Sequence, residues 1–190
     1  MNDINKIAAK NNGKITIQDL SGFTMLGKGA DGSVFQLTPV KCVKVFVNEE
    51  TQKRELNALQ IGQSSSVIPR LYEYGSNYIV MELVNGGNLK AYLKKEKQLP
   101  KPIVLKILFM LEELKRIGFT RLDTEVRHIF FNELEEIKVI DHKRAFTTNR
   151  SVPTKLFTGL KKLGYLEEFL SHVKEINPSL YREWKKIEIK

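Results

Sequence analysis

The chain has 190 residues, of which 42% are hydrophobic and 28% are charged. This composition is typical of a globular protein with one large domain or two small lobes, and it excludes a disordered tail. Glycine and proline show no regular period, which excludes collagen-like and low-complexity chains. No apolar run approaches the ~20 residues that a bilayer span needs, and the charged N-terminus lacks an apolar signal core. We therefore expect no membrane span and a cytoplasmic location.

The charge balance is basic, with 31 Lys and Arg against 22 Asp and Glu and a net charge of +9. Such a surplus favours polyanionic partners. The chain nevertheless contains no zinc-finger ligands, no RNP string and no helix-turn-helix pattern, so it carries no strong nucleic-acid signal. The single cysteine, Cys42, excludes an internal disulfide and a thiolate zinc site, which fits a reducing cytosol. Any bound metal would therefore have oxygen or histidine ligands.

The first half of the chain is predicted to be rich in strands. Residues 14–47 alternate apolar and polar side chains around glycine-rich turns, as in KITIQDL, SVFQL and KCVKVFV, which predicts a run of antiparallel strands. Helical spacing then extends from Glu49 to Gln60. The stretch LYEYGSNYIVMELV predicts two further strands around a turn.

From Asn88 onward, helical patterns dominate. NLKAYLKKE predicts one helix, and PIVLKILFMLEELKRIG predicts a second that ends at Gly118. HIFFN and EIKVID predict a short hairpin. Two or three further helices are then predicted, built on LFTGLKKLG, YLEEFLSHVKEI and SLYREWKKI. We interpret Trp184 as a packing residue of the last helix. A β-rich first half and an α-rich second half together predict a two-lobed α+β fold.

The first motif that suggests a binding function is a glycine-rich string, Gly27-Lys28-Gly29-Ala30-Asp31-Gly32-Ser33-Val34. An alternating strand, SVFQL, follows it, whereas a dinucleotide-binding fold would need a helix there. The glycines are therefore predicted to lie at a hairpin tip, where backbone N–H groups can approach phosphate oxygens without obstruction by Cβ atoms. A plain flexible hairpin turn is the alternative interpretation of the string by itself.

Lys44 is the first candidate for a charged group beside this string. It shares a strand face with Cys42 because side chains alternate along a strand. A lysine that reaches phosphate oxygens needs a carboxylate to fix its position. Glu55, in the predicted helix and followed by the packing residue Ala58, is the first candidate for that carboxylate, and Glu50 is the second.

The ordered set of motifs resembles the protein kinase superfamily, in its eukaryotic-like Ser/Thr form. The glycine-rich string, Lys44, Glu55 and the segment Met81–Gly87 are similar, in order, to the family's phosphate loop, third-strand lysine, C-helix glutamate and hinge. Asp123 in RLDTEVRHIFF and Asp141 in VIDHK are similar to the catalytic-loop and metal-binding aspartates. The resemblance implies a single kinase-like domain over residues 1–190, with an N-lobe at about 14–84, a hinge at about 82–87 and a C-lobe at about 88–190.

The resemblance also implies an ATP site. The backbone of Glu82 and Val84 would bond the adenine edge, and the adenine faces would be covered by Leu26, Val34, Cys42 and Phe130. Lys44, paired with Glu55, would hold the α- and β-phosphates beneath the loop of Gly27, Gly29 and Gly32. Asp141 would bind the metal, and Asp123 would accept the proton of the acceptor hydroxyl.

Four positions depart from the family pattern. His128 stands where the family has a metal-binding asparagine, and imidazole suits Mn²⁺ better than Mg²⁺, so the implied cofactor is ATP with Mg²⁺ or Mn²⁺. Asn132 is a poor substitute, because turn chemistry already explains an asparagine there. The sequence Asp141-His142-Lys143 replaces D-F-G, and loss of the glycine restricts a backbone flip. Leu122 replaces the arginine before Asp123, so position 122 has no guanidinium to receive a phosphate.

The stretch after Asp141 is short and contains no A-P-E string, which indicates a minimal C-lobe resembling RIO-type or short prokaryotic kinases. The expected function is an ATP-dependent phosphotransferase that acts on a protein Ser or Thr hydroxyl, with the chain itself among the candidate acceptors. A nucleotide-binding or scaffolding pseudokinase is the main alternative. A small-molecule kinase and a basic nucleic-acid-binding module also remain open.

Overall fold

The structure is a computed structural model that describes residues 3–187. An antiparallel sheet occupies the N-terminal region and helices dominate the C-terminal region, which confirms the α+β prediction. The chain divides into two compact units. Unit 1 comprises residues up to Ser64, Ile68–Val84 and His142–Arg144, and unit 2 comprises Ser65–Val67, Asn85–Asp141 and residues from Ala145 onward.

Unit 1 is a five-stranded antiparallel sheet with helices. Its elements are α1 (Asp3–Lys10), a 3-10 helix (Gln18–Leu20), β1 (Met25–Gly29), β2 (Gly32–Thr38), β3 (Lys41–Phe46), α2 (Glu49–Gly62), β4 (Leu71–Tyr74) and β5 (Tyr78–Glu82). The strand order is β1-β2-β3-β5-β4. The sheet therefore places β3, which carries Lys44, at its centre.

The two faces of this sheet are covered differently. Val43 and Val45 of β3 pack into a buried cluster with Ile4 and Ala8 of α1. Side-chain alternation sends Lys44 to the opposite face. There α2 packs. Its N-cap is Asn48, whose side chain accepts hydrogen bonds from the backbone N–H groups of residues 50 and 51. One face of β3 thus serves the core and the other serves the candidate site.

The strand predicted for KITIQDL is wrong. Ile15 is held by the Asn77 side chain, which accepts from the Ile15 N–H at 3.0 Å and donates to its carbonyl at 2.7 Å. Asp19 accepts from both the N–H and the hydroxyl of Thr16, at 2.8 and 2.7 Å. These local side-chain bonds offer the backbone an alternative to a strand ladder. The segment therefore forms turns and the 3-10 helix, while Ile15 and Leu20 still reach the core.

Unit 2 contains most of the helices and a three-stranded antiparallel sheet. Its elements are β6 (Gly86–Asn88), α3 (Leu89–Glu96), α4 (Lys101–Arg116), β7 (Ile129–Asn132), β8 (Ile137–Val139), α5 (Thr154–Leu163), α6 (Leu166–Ile176) and α7 (Pro178–Trp184). The predicted hairpin and the first two helices predicted after Asn88 are confirmed, and the two or three helices predicted after the hairpin are three, α5, α6 and α7. Strand β6, which pairs with β7, was missed because glycine gives no strand pattern.

Aromatic packing joins the last three helices. The Trp184 ring lies edge-on to Phe157 at 5.0 Å between centroids and stacks on Phe169 at 6.1 Å. Trp184 is 3% exposed, which confirms the prediction that it is a packing residue. Over residues 3–187, no helix combines the length and the apolar character needed to cross a bilayer.

Candidate active site

The glycine-rich string forms the β1–β2 hairpin, and its glycines have different structural roles. A Cβ atom built on Gly27 or Gly29 would meet no heavy atom of the described chain within 4 Å. Gly32 has φ +153°, and a Cβ there would lie 2.0 Å from the Val45 carbonyl oxygen. Gly32 is therefore required by the close approach of β2 to β3. Gly27 and Gly29 leave the backbone open to a ligand.

Lys44 and Glu55 form a buried ion pair. Lys44 Nζ donates to Glu55 Oε1 at 2.8 Å and to Oε2 at 2.6 Å, and their side chains are only 12% and 3% exposed. The Lys44 Nζ also lies 4.7 Å from the centroid of the Phe46 ring. Glu50, the second candidate, pairs instead with Arg54 on the exposed face of α2. Because both charged groups are shielded from water, the Glu55 carboxylate fixes the position of the Lys44 ammonium group.

The residues of unit 1 expected to contact adenine lie on β1, β2, β3, the end of β5 and the segment just after it. Cys42 is buried, its Sγ donates to the Glu82 carbonyl oxygen at 3.7 Å, and burial raises its pKa to about 12. The thiol therefore stays protonated at neutral pH. Val34 is half-buried and Leu26 is 44% exposed. Val84 lies two residues after the end of β5.

In unit 2, Asp123 is the most enclosed of the candidate residues. Its side chain has no exposed surface. Oδ1 accepts from the Lys155 N–H at 2.6 Å and from the Thr154 hydroxyl at 3.1 Å, so the carboxylate holds the first turn of α5. Oδ2 accepts from the Arg121 guanidinium at 2.9 Å and from Arg150 at 3.5 Å. Four donors thus surround the group that the resemblance assigns as proton acceptor.

The two guanidinium groups at Asp123 were missed by the sequence analysis. Position 122 is a leucine, but Arg121 and Arg150 each reach the carboxylate from elsewhere in the chain. Arg121 stands two residues before Asp123 and could have been noticed. Arg150 comes from a distant segment, so no local pattern indicates it.

Asp141 and His128 are neighbours. His128 Nε2 lies 3.7 Å from Asp141 Oδ2, and the two side chains are 17% and 22% exposed. Burial lowers the pKa of His128, although the Asp141 charge opposes this shift, so the imidazole is neutral at neutral pH. Asp141 has φ +65°, a left-handed conformation that aspartate and asparagine tolerate better than most residues.

These two side chains test the fit of the implied metal. A carboxylate and a neutral imidazole form a donor set that Mn²⁺ accepts, whereas Mg²⁺ prefers oxygen alone. Within residues 3–187, no group of three or more His, Cys, Asp or Glu side chains is arranged to hold a metal ion. The chain therefore offers two protein ligands, and water or phosphate oxygens would complete the coordination.

Three further residues complete the description of the site. Phe130 is half-buried on β7, opposite Lys138 of β8. The Asn132 side chain accepts from the N–H groups of residues 134 and 136, at 3.0 and 2.8 Å, which confirms that turn chemistry explains it. Lys143, two residues after Asp141, forms an ion pair with Asp31 at the tip of the β1–β2 hairpin. The sequence analysis did not find this pair, because its members are far apart in the chain.

Sequence comparisons connect the chain with known kinases. It is 28% identical over 126 residues to YrzF of Bacillus subtilis, named as a candidate serine/threonine-protein kinase, covering 64% of this chain and 59% of YrzF. It is 27% identical over 153 residues to mitogen-activated protein kinase kinase 1c of Physcomitrium patens, covering 68% of this chain and 43% of that protein. Mitogen-activated protein kinase kinase 2 of Arabidopsis thaliana is 25% identical over 150 residues, with 67% and 40% covered. No protein-family model matches the chain.

These similarities support a relationship between the chain and the protein kinase superfamily. The chain spans about six tenths of YrzF and about four tenths of the two plant kinases.

Proposed function

We propose that the chain binds ATP with Mg²⁺ or Mn²⁺ and transfers the γ-phosphoryl group to a Ser or Thr hydroxyl of a protein, with the chain itself among the candidate acceptors. The buried Lys44–Glu55 ion pair carries this proposal. An ion pair of this burial costs desolvation energy and is weak evidence for stability by itself. A fixed ammonium group beside an open glycine turn is, in contrast, well suited to bind phosphate oxygens.

Each residue then has a defined role. Backbone N–H groups near Gly27 and Gly29 bind phosphate oxygens, and Lys44 neutralises the charge on the α- and β-phosphates. Asp141 and His128 hold the metal ion, which when bound offsets the negative charge that develops on the phosphates. In the transfer, the acceptor oxygen forms a bond to the γ-phosphorus, the bond to the ADP oxygen breaks, and Asp123 takes the hydroxyl proton.

One observation favours a second candidate function, nucleotide binding without transfer. Asp123 has no exposed surface and already accepts four hydrogen bonds. A carboxylate in this arrangement can take a substrate proton only after some of these donors move away. A protein in which they never move would bind nucleotide and act as a sensor or scaffold.

Transfer is tested with γ-labelled ATP, Mg²⁺ or Mn²⁺, and generic protein acceptors, following label on the chain and on the acceptors. The informative variants are Lys44→Met and Asp141→Asn. Asparagine tolerates the left-handed backbone at position 141, so this variant removes the charge without straining the loop. Lys41→Met, on the same strand, is the matched control for loss of a lysine.

Loss of label in Lys44→Met and Asp141→Asn, with label retained in Lys41→Met, would support phosphotransfer. Activity with Mn²⁺ that exceeds activity with Mg²⁺, and a reversal of this preference in His128→Asn, would support His128 as a metal ligand. ATP binding by calorimetry without any transfer would support the nucleotide-sensing alternative. Absence of both binding and transfer would refute the proposal.

A further inference from the structure

A cavity of about 640 Å³ opens on unit 2, outside the residues assigned above to ATP. Five cations and one carboxylate line it: Lys90, Lys94, Arg127, Lys155, Lys162 and Glu125. Helices α3 and α5 supply the lysines, and the segment before β7 supplies the other two side chains. The lining is thus strongly positive.

Glu125 is the one carboxylate among these lining residues, so most of the positive charge of the lining is available to a ligand. Glu125 accepts from Lys155 at 2.8 Å and from Arg127 at 2.7 Å. The Lys155 hydrogen bond, with help from Arg127, lowers the pKa of Glu125 to about 2, so this group is ionised at neutral pH. The other three lysines, at positions 90, 94 and 162, are exposed and form none of the ion pairs found over residues 3–187.

The cavity adjoins the environment of Asp123. The Lys155 backbone N–H donates to Asp123 Oδ1 at 2.6 Å, while the Lys155 side chain lies in the cavity wall. Glu125 is two residues from Asp123. The floor is tightly packed, because a Cβ atom on Gly159 of α5 would lie 2.8 Å from a Val126 side-chain carbon. Lys155 therefore joins this wall of the cavity to the group assigned to act on the acceptor hydroxyl.

We propose that this cavity binds carboxylate side chains of the protein acceptor, so that the preferred acceptor Ser or Thr lies in a segment rich in Asp and Glu. This inference rests on the proposed function. Charge complementarity supports an acidic peptide as the occupant. The apolar floor formed by Val126 and Leu163 suits the methylene groups of Glu side chains. A nucleic acid would instead need an extended basic stripe that follows a phosphate backbone, and this lining is a compact concavity.

Binding is measured first, without reference to catalysis. The probes are three fluorescein-labelled peptides with one central Ser, flanked by Glu, Ala or Lys residues, and the readout is fluorescence anisotropy at low and high salt. The wild-type chain is compared with Lys90→Glu/Lys94→Glu/Lys162→Glu. The control is Lys115→Glu, because Lys115 is an exposed lysine in the last turn of α4, as Lys94 and Lys162 are in the last turns of α3 and α5.

We expect the Glu-flanked peptide to bind more tightly than the Ala-flanked one, and salt to weaken it selectively. Reversal of three exposed charges should weaken its binding by roughly tenfold to a hundredfold, whereas Lys115→Glu should change it less than about twofold. If the triple reversal does not fold, as judged by circular dichroism, the corresponding triple Gln variant replaces it. Equal affinity for the Glu- and Ala-flanked peptides would overturn the proposal.

Two further measurements separate this proposal from the proposed function. An oligonucleotide that binds the wild-type chain more tightly than the Glu-flanked peptide, through the same three lysines, would overturn the acidic-peptide assignment. The same peptides are then tested as acceptors with γ-labelled ATP. Lysine-dependent binding of the Glu-flanked peptide without transfer would support the cavity and refute the phosphotransferase. Transfer to all three peptides at equal rates would support the phosphotransferase and overturn the cavity proposal.

Discussion

Replacement of Asp123 tests whether this residue has a structural role that accompanies its assigned catalytic role. In Asp123→Ala, the Arg121 guanidinium, whose side chain is 11% exposed, loses its carboxylate. Removing one member of a buried ion pair typically costs about 3–5 kcal/mol, because the remaining charge stays buried without compensation. The first turn of α5 also loses the acceptor for the Lys155 N–H. We expect a total loss of about 3–5 kcal/mol in the free energy of unfolding, a large share of the roughly 5–15 kcal/mol of a typical domain.

Two further variants separate the contributions. Asp123→Asn keeps a carbonyl oxygen that can accept from the Lys155 N–H but removes the charge that Arg121 needs, so we expect a loss of about 1.5–3 kcal/mol. Arg150→Ala should cost less than about 1 kcal/mol, because that side chain is 53% exposed and 3.5 Å from the carboxylate.

The assay is equilibrium unfolding in urea, followed by fluorescence of Trp184 and by circular dichroism. Trp184 is the only tryptophan, is buried, and lies in unit 2 with Asp123. If Asp123→Ala unfolds within about 0.5 kcal/mol of the wild type, the reasoning from burial and hydrogen bonds is wrong. If the loss is as large as expected, an inactive Asp123 variant indicates a catalytic role only when activity is measured far below its unfolding transition.

Three further predictions concern other parts of the chain. Gly32→Ala should lower the melting temperature, because the added Cβ would meet the Val45 carbonyl oxygen. Gly29→Ala should leave the melting temperature unchanged and lower only the affinity for ATP, which calorimetry measures. Glu125 has a pKa of about 2 in the folded chain, below its ordinary value of 4.5, so its contribution to stability is present above pH 4.5 and is lost as pH falls toward 2. The stability gap between the wild type and Glu125→Gln in urea unfolding should therefore shrink over that range, and a constant gap would contradict the assignment. Trp184→Ala should cost about 3–5 kcal/mol by thermal denaturation, and a smaller effect than about 1 kcal/mol would contradict its place in the core.

Local patterns determined much of this fold. Helical spacing predicted α2, α3 and α4 because an amphipathic helix repeats its apolar positions within a few residues. Strand alternation and helical spacing also led to Lys44 and Glu55, whose ion pair the structure contains. Each of these features depends on residues near one another in the chain or on motifs in a fixed order.

Only the tertiary structure decided the rest. The segment Lys14–Leu20 alternates like a strand but is held by Asn77, which lies far along the chain. Three of the donors around Asp123, from Arg150, Thr154 and Lys155, likewise come from segments that meet it only on folding, and so does the basic wall of the cavity. A periodic pattern records which face of an element is buried, but it carries no information about the distant side chain that will satisfy a carboxylate or add its charge to a shared cavity.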